Sequence, residues 1–161
     1  MIKIDSHIQE ILASVSDPEI PVLSILDMGI VKNVEEKSDH FSVTITPTYT
    51  GCPAMDVIEE DIISAFKAKD INVKVETVLS PPWTTAWISD CGKEKLEKYG
   101  IAPPMNESLD KKAIIDGERV VKCPQCGSTN TKMVSQFGST ACKALFKCQD
   151  CLEPFDYFKC I

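Results

Sequence analysis

Two Cys-x-x-Cys pairs, Cys123-Pro-Gln-Cys126 and Cys148-Gln-Asp-Cys151, constrain this chain more than any other feature. Four thiolates carried on two turns can surround one tetrahedral ion, and the spacing is that of a zinc ribbon. Each pair fits a short knuckle. Pro124 stiffens the first turn and Gly127 is free to take positive φ, so that backbone N–H groups can face the sulfurs. The 21 residues between the pairs suit a hairpin, with strands at Thr131 to Gln136 and Leu145 to Lys147 and a turn at Phe137-Gly-Ser. A segment of about 50 residues buries too little apolar surface to fold alone, whereas structural zinc contributes about 10–16 kcal/mol at neutral pH. A closed four-cysteine site stabilises a module and catalyses nothing. Cys142 and Cys160 bring the cysteines in residues 123–160 to six, more than one zinc needs. An iron–sulfur cluster using some of the same thiols is therefore the competing occupant, and burial as small hydrophobes is the plainer role for the extra pair.

The remainder of the 161 residues has room for one ordinary domain. The division expected is an α+β body at 1–102, a linker at 103–119 and the ribbon at 120–161. Eight cysteines would suggest disulfides in a secreted protein, but the opening Met-Ile-Lys-Ile-Asp-Ser-His has no apolar signal core. A reducing, cytoplasmic location is expected, and no apolar run approaches the roughly 20 residues that span a bilayer. Charge is unevenly spread: eight basic and five acidic residues from Lys111 onward give +3, leaving −10 in residues 1–110 out of a total of −7. Such an acidic body repels phosphate backbones, so a nucleic-acid-binding ribbon is disfavoured.

Along the body, Asp5 or Ser6 can cap a helix whose Ile8, Ile11, Leu12 and Val15 follow helical spacing, with His7 on its polar side. Asp17-Pro-Glu-Ile-Pro21 breaks it, because prolines remove donors and restrict their predecessors. A short apolar turn ending at Gly29 leads to a strand from Ile30 to Glu36, a polar loop at Lys37 to His40, and a second strand in which Phe41, Val43 and Ile45 alternate with polar residues. Pro53 suits the first position of a second helix, with Met55, Ile58, Ile62, Ala65 and Phe66 on one face. Cys52 is then expected at the N-cap, where the helix dipole would lower its pKa against the opposing Asp56, Glu59, Glu60 and Asp61. A small buried residue under a tight turn is the alternative role for Cys52. Asn72 to Leu79 reads as a third strand, Trp83 to Ile88 and Lys93 to Tyr99 as helical pieces with Cys91 at the break, and Ile101 to Asn106 as extended chain. Trp83 and Trp87, four apart on one helical face, read as packing anchors rather than a cofactor box, with a partner surface as the sharper alternative.

No phosphate-binding glycine loop and no Gly-x-Ser-x-Gly elbow is present. With only His7 and His40, the chain cannot assemble a carboxylate-bridged di-iron site of the bundle type or a two-histidine facial triad. What remains is thiol and metal chemistry on a small α+β body.

Asp17-Pro-Glu-Ile20, Asp27-Met-Gly-Ile-Val31 and Thr50-Gly-Cys-Pro53 give the first module a resemblance to the small α+β iron–sulfur assembly (FSCA-like, SufT-related) family. With Tyr49 to Ala54, Ser80-Pro-Pro-Trp-Thr-Thr85, Phe137-Gly-Ser-Thr-Ala-Cys-Lys-Ala-Leu145, Glu153-Pro-Phe155 and Phe158-Lys-Cys-Ile161, the whole chain is similar to the family of D proteins of the phenylacetyl-CoA oxygenase (1,2-epoxidase) system. The resemblance implies a three-stranded mixed sheet packed with helices, followed by a zinc-ribbon β module. It implies a noncatalytic accessory role in aerobic phenylacetate degradation, in maturation or assembly of the iron–sulfur or other metal centre of the oxygenase or its reductase. Those two components are the expected partners, and a homodimer is left open. Carried over by motif, Cys52 matches the family's reactive thiol, with Glu19 and Asp27 as candidate neighbours that handle iron or a transient cluster. Cys123, Cys126, Cys148 and Cys151 match the zinc ligands, and Cys142 and Cys160 match additional thiols. A stably bound structural subunit and a thiol-redox protein using Cys142 or Cys160 are the competing functions.

Overall fold

The computed structural model describes residues 5–105 and 120–159. Its chain divides into two compact units between Gly92 and Lys93, ahead of the boundary at 102 read from sequence.

In the first unit, Asp5 caps α1 (Ser6–Ala13) by accepting the His7 N–H at 2.9 Å, and Ile8, Ile11 and Leu12 are buried. The helix stops where the prolines begin. There the buried Asp17 carboxylate accepts the N–H groups of Glu19 and Ile20, each at 2.8 Å, replacing helical bonds with a tight turn that drives Ile20 and Leu23 into the core. Strands β1 (Val31–Glu36) and β2 (Phe41–Ile45) pair antiparallel across the polar loop, with Val43 and Ile45 buried. Helix α2 (Ala54–Lys67) then carries the chain back, so that β3 (Val73–Thr77) lies parallel to β2 in the order β1-β2-β3. A parallel pair requires such a crossover. Met55, Ile58, Ile62 and Phe66 line the buried side of α2, and the Phe66 ring lies 6.2 Å from that of Phe41. This is the α+β architecture with a three-stranded mixed sheet that the sequence suggested.

The expected helix from Trp83 to Ile88 shrinks to a single 3-10 turn at Thr85–Trp87. Pro81 and Pro82 precede it, and the buried Trp83 indole donates to the Met28 carbonyl at 2.9 Å, so Thr84 stays extended at φ −133 and ψ 153. Trp83 and Trp87 therefore do not share a helical face. Cys91 lies not at a break but exposed within α3 (Asp90–Tyr99).

The second unit is built on a four-stranded sheet in the order β4-β7-β6-β5. Its hairpin, β5 (Thr131–Ser135) with β6 (Lys143–Cys148), lies where the sequence placed it. Two further strands lack a clear sequence signal. Ile101–Ala102, read from sequence as the start of an extended segment, form β4 and pair parallel with β7 (Pro154–Phe158), which itself runs antiparallel to β6. Pro154 and Asp156 obscure β7 as a sequence signal, but they alternate with Phe155 and Tyr157, which face inward. The core is small: Ala102, Val121, Ala144, Phe146, Phe155 and Tyr157 close around Cys123 and Cys148.

Candidate metal centre and the Cys52 turn

The structure brings Cys123, Cys126, Cys148 and Cys151 together with all four sulfurs within 4.8 Å of one another. Cys123 Sγ lies 3.7 Å from Cys151 Sγ, and Cys126 Sγ lies 3.6 Å from Cys148 Sγ. A tetrahedral ion with metal–sulfur bonds of about 2.3 Å separates its ligands by about 3.8 Å. The four thiols thus fit a single metal ion.

Two knuckles create this spacing. In the first, the Cys123 N–H donates to the Ser128 carbonyl at 2.8 Å and the Gly127 N–H to the Cys123 carbonyl at 2.9 Å, with Gly127 at φ +76. In the second, the Cys148 N–H donates to the Glu153 carbonyl at 3.0 Å, and the positive φ falls on Leu152 at +67 instead of on a glycine. Backbone N–H groups of Ser128, Cys151 and Glu153 face the sulfurs of Cys126, Cys148 and Cys151. The Cys151 N–H outweighs burial and brings Cys148 down to about 7, while the Ser128 and Glu153 N–H groups are outweighed by burial and the neighbouring sulfurs, which push Cys126 up and Cys151 up to about 12. The crowded thiols therefore do not all ionise until a cation enters.

Sequence reasoning missed the clasp between the knuckles. Asp150, inside the second pair, accepts hydrogen bonds from the Ser128 hydroxyl and, at 2.7 Å, from Asn130 Nδ2, and both bonds hold its carboxyl below the usual range. Only the fold brings 128, 130 and 150 together, so no local pattern could have revealed it. Asp150 thereby holds Ser128, whose N–H faces the Cys126 sulfur, and partners that orient metal ligands change metal affinity by about 10–100-fold. Asp150→Ala should therefore release the metal to a competing chelator at least about tenfold more readily, with Asp150→Asn in between.

Of the two extra thiols, Cys142 stands apart from this cluster. Cys142 is buried, with its sulfur 3.1 Å from Thr140 Oγ1. Cys160 lies outside the described residues.

Cys52 sits at the start of α2 as expected but differs in its acidity. Pro53 already has helical dihedrals at φ −70 and ψ −16, the Met55 N–H donates to the Cys52 carbonyl at 3.3 Å, and the Ala54 N–H faces the Cys52 sulfur. Its pKa is raised, not lowered: burial is the largest cause, and the negative charge of Glu19 adds to it, against hydrogen bonds from the Ala54 N–H and the side chains of Tyr49 and Thr48. Desolvation of a half-buried thiolate outweighs the modest pull of a helix terminus. Thr48 did not stand out in the sequence, and Tyr49 did so only within the Tyr49–Ala54 motif, with no role toward Cys52. Iodoacetamide at neutral pH should label Cys52 more slowly than the exposed Cys91, and Glu19→Gln should speed labelling of Cys52 alone by removing the opposing charge.

Asp27 has a different environment. Its carboxylate accepts from the Ser24 hydroxyl at 2.9 Å, the Ser24 N–H at 3.2 Å and the Ser89 hydroxyl at 3.1 Å, and its carbonyl accepts the Ser89 N–H at 2.9 Å. It fastens the loop before β1 to the segment before α3. Of the two acidic candidates, Glu19 acts on the Cys52 thiol, and Asp27 is engaged with Ser24 and Ser89.

Comparison with known proteins draws these features together. The model of an iron–sulfur cluster assembly protein family matches residues 5–78, and that of the PaaD zinc beta ribbon domain matches residues 108–159. An Escherichia coli protein, provisionally named as the D component of 1,2-phenylacetyl-CoA epoxidase, is 45% identical over 156 residues, covering 96% of this chain and 92% of its own. The chain belongs to this PaaD family. Its first unit also has relatives outside the PaaD family. A Porphyromonas gingivalis Fe-S protein maturation auxiliary factor is 36% identical over 89 residues, 53% of this chain and 84% of its own. The crystal structure of a DUF59 domain of unknown function from Bacillus anthracis superposes with a TM-score of 0.52 at 26% identity, over 56% of this chain and 88% of that one. Among the described residues no helix is long and apolar enough to cross a membrane.

Proposed function

We propose that this chain is a noncatalytic accessory protein of a phenylacetyl-CoA ring-1,2-epoxidase system, acting in maturation of the metal centre of the oxygenase or its reductase. Cys52 takes up iron or an iron–sulfur unit transiently, Glu19 offers a carboxylate beside it, and Asp27 holds the supporting loop in shape. The ribbon binds zinc structurally and presents the chain to its client. The observation that carries this reading is the joining, in one PaaD-family chain, of an iron–sulfur assembly module at residues 5–78 to a ribbon at 108–159. Zinc is favoured over a cluster because the sulfur pairs at 3.6 and 3.7 Å match the edge of a single-ion tetrahedron, whereas a cluster spreads its ligands over several irons.

The raised pKa of Cys52 is compatible with a transient carrier. A thiol that keeps its proton at neutral pH is protected from adventitious oxidation, and it yields that proton only when a metal competes for the sulfur. The test is anaerobic transfer from chain loaded with iron and sulfide to apo-reductase and apo-oxygenase, read as recovered cluster absorbance and client-bound iron. Wild type should transfer and Cys52→Ser should not, with one zinc per chain in both. The name of the Escherichia coli relative, which makes it part of the epoxidase, favours a second reading in which the chain stays in the complex as a structural component. Stoichiometric co-purification with full client activity despite Cys52→Ser would overturn the carrier and establish the structural role.

A further inference from the structure

Strand β5 ends the ribbon sheet, and its outer backbone groups have no strand beside them among the described residues. Such an edge is a template for another chain, and proteins commonly blunt it with a lysine or a bulge. β5 carries both: Lys132, and a bulge between Met133 and Ser135 that leaves Val134 without a partner on β6. Protection alone does not account for what surrounds them. Met133, Val134 and Phe137, on the strand and just beyond it, are 44%, 59% and 59% exposed, apolar surface that a blunted edge would not retain. Lys132 also lies directly across from Lys147 of β6, and like charges in that position destabilise a sheet. Neither ammonium forms an ion pair or hydrogen bond among the described residues. Both project from the face opposite the core, since Ala144, Phe146 and Cys148 point inward from β6. A cross-strand pair of unneutralised cations beside an open edge and exposed apolar side chains is complementary to one kind of occupant.

We infer that the β5 edge is a docking strand for an extended acidic segment of a partner protein, whose backbone pairs with β5 while its carboxylates neutralise Lys132 and Lys147. Met133, Val134 and Phe137 supply the apolar contact. Strand addition of this type takes affinity from main-chain hydrogen bonds and specificity from alternate side chains. This assignment rests on the reading of the ribbon as the client-docking module, and it names the surface and the chemistry of the client segment. A phosphate backbone would also satisfy two lysines, but it has no amides to continue a sheet, and the −10 carried by residues 1–110 repels it.

The experiment uses full-length chain, zinc-loaded, with the purified oxygenase and reductase of a phenylacetyl-CoA epoxidase and, separately, a single-stranded RNA of about 20 nucleotides, longer than the roughly 4–16 that a single-strand site covers. Lys132→Glu with Lys147→Glu should weaken binding to one of these proteins by about tenfold or more, steeply at low salt, whereas Lys69→Glu, the same kind of charge change in the first unit, should leave it unaltered. Backbone amides of residues 131–135 should exchange more slowly in the complex than in the free chain. Unchanged zinc content in the double variant excludes misfolding as the cause. Binding indifferent to the double variant, absence of binding to either protein, or RNA binding that the double variant abolishes would each overturn the assignment. Cys52→Ser separates this inference from the carrier proposal: it should abolish transfer and leave docking intact.

Discussion

Stripping the metal from the four-cysteine site will unfold the unit that begins at Lys93 and leave the first unit folded. The core of the second unit consists of Ala102, Val121, Cys123, Ala144, Phe146, Cys148, Phe155 and Tyr157, so two of its eight members are themselves candidate ligands. Structural zinc contributes about 10–16 kcal/mol, which matches or exceeds the roughly 5–15 kcal/mol of a typical domain. Without the ion, four sulfurs within 4.8 Å must either hold protons or repel one another as thiolates, and the knuckles lose their reason to converge. Amide exchange after chelation under reducing conditions should show β5, β6 and β7 unprotected and β1 to β3 unchanged, with protection restored by added zinc. Cys148→Ser should produce the same pattern with no chelator. Acidification should drive release in the same direction, because protons compete with the metal for each sulfur. Retained protection of β6 and β7 in fully metal-free protein would show that the apolar core suffices alone.

Gly29→Ala will cost the first unit about 2–5 kcal/mol. Gly29 lies at φ +66, which by itself costs a non-glycine residue about 1–2 kcal/mol. An added Cβ would also fall 2.3 Å from the Trp87 carbonyl oxygen and 2.8 Å from its carbon, both backbone atoms that no rotamer change can clear. The segment from Thr85 to Trp87 must then retreat, straining the Trp83 bond to Met28 and the Ser89 bonds to Asp27. Gly51→Ala is the internal control: its φ is +81 and nothing lies within 4 Å of the new methyl, so only the conformational cost of about 1–2 kcal/mol applies. Denaturant midpoints at constant m-value measure the difference. Equal losses for the two variants would mean that no close approach to Trp87 is required. Cys52 labelling rates in both variants would report in addition whether the glycine beside Cys52 shapes that thiol's environment.

The elements legible in the sequence are those whose signal is local. Helix α1 announced itself through Asp5 and the spacing of Ile8, Ile11 and Leu12, and β2 through alternation from Phe41 to Ile45. β4 gave no such signal: two residues ahead of Pro103-Pro104 look like extended chain until β7 supplies a partner. The helix expected at Trp83 failed for a related reason, since the indole bond to Met28, 55 residues away, outweighs a propensity worth only tenths of a kcal/mol per residue.

The sequence by itself determined the metal-binding knuckles and the α+β character of the body, because ligand spacing and hydrophobic period are written in neighbouring residues, and its short motifs carried the resemblance to the family. Tertiary structure decided the protonation of Cys52, the engagement of Asp27 by Ser89 at a separation of 62 residues, and the Ser128–Asp150 clasp across the site. Desolvation and hydrogen bonding depend on what the rest of the chain places around a group. Cys52 illustrates the limit: its position next to a helix was readable, but the burial that raises its pKa belongs to the folded loop from Thr46 to Pro53, with Glu19 brought near from another segment.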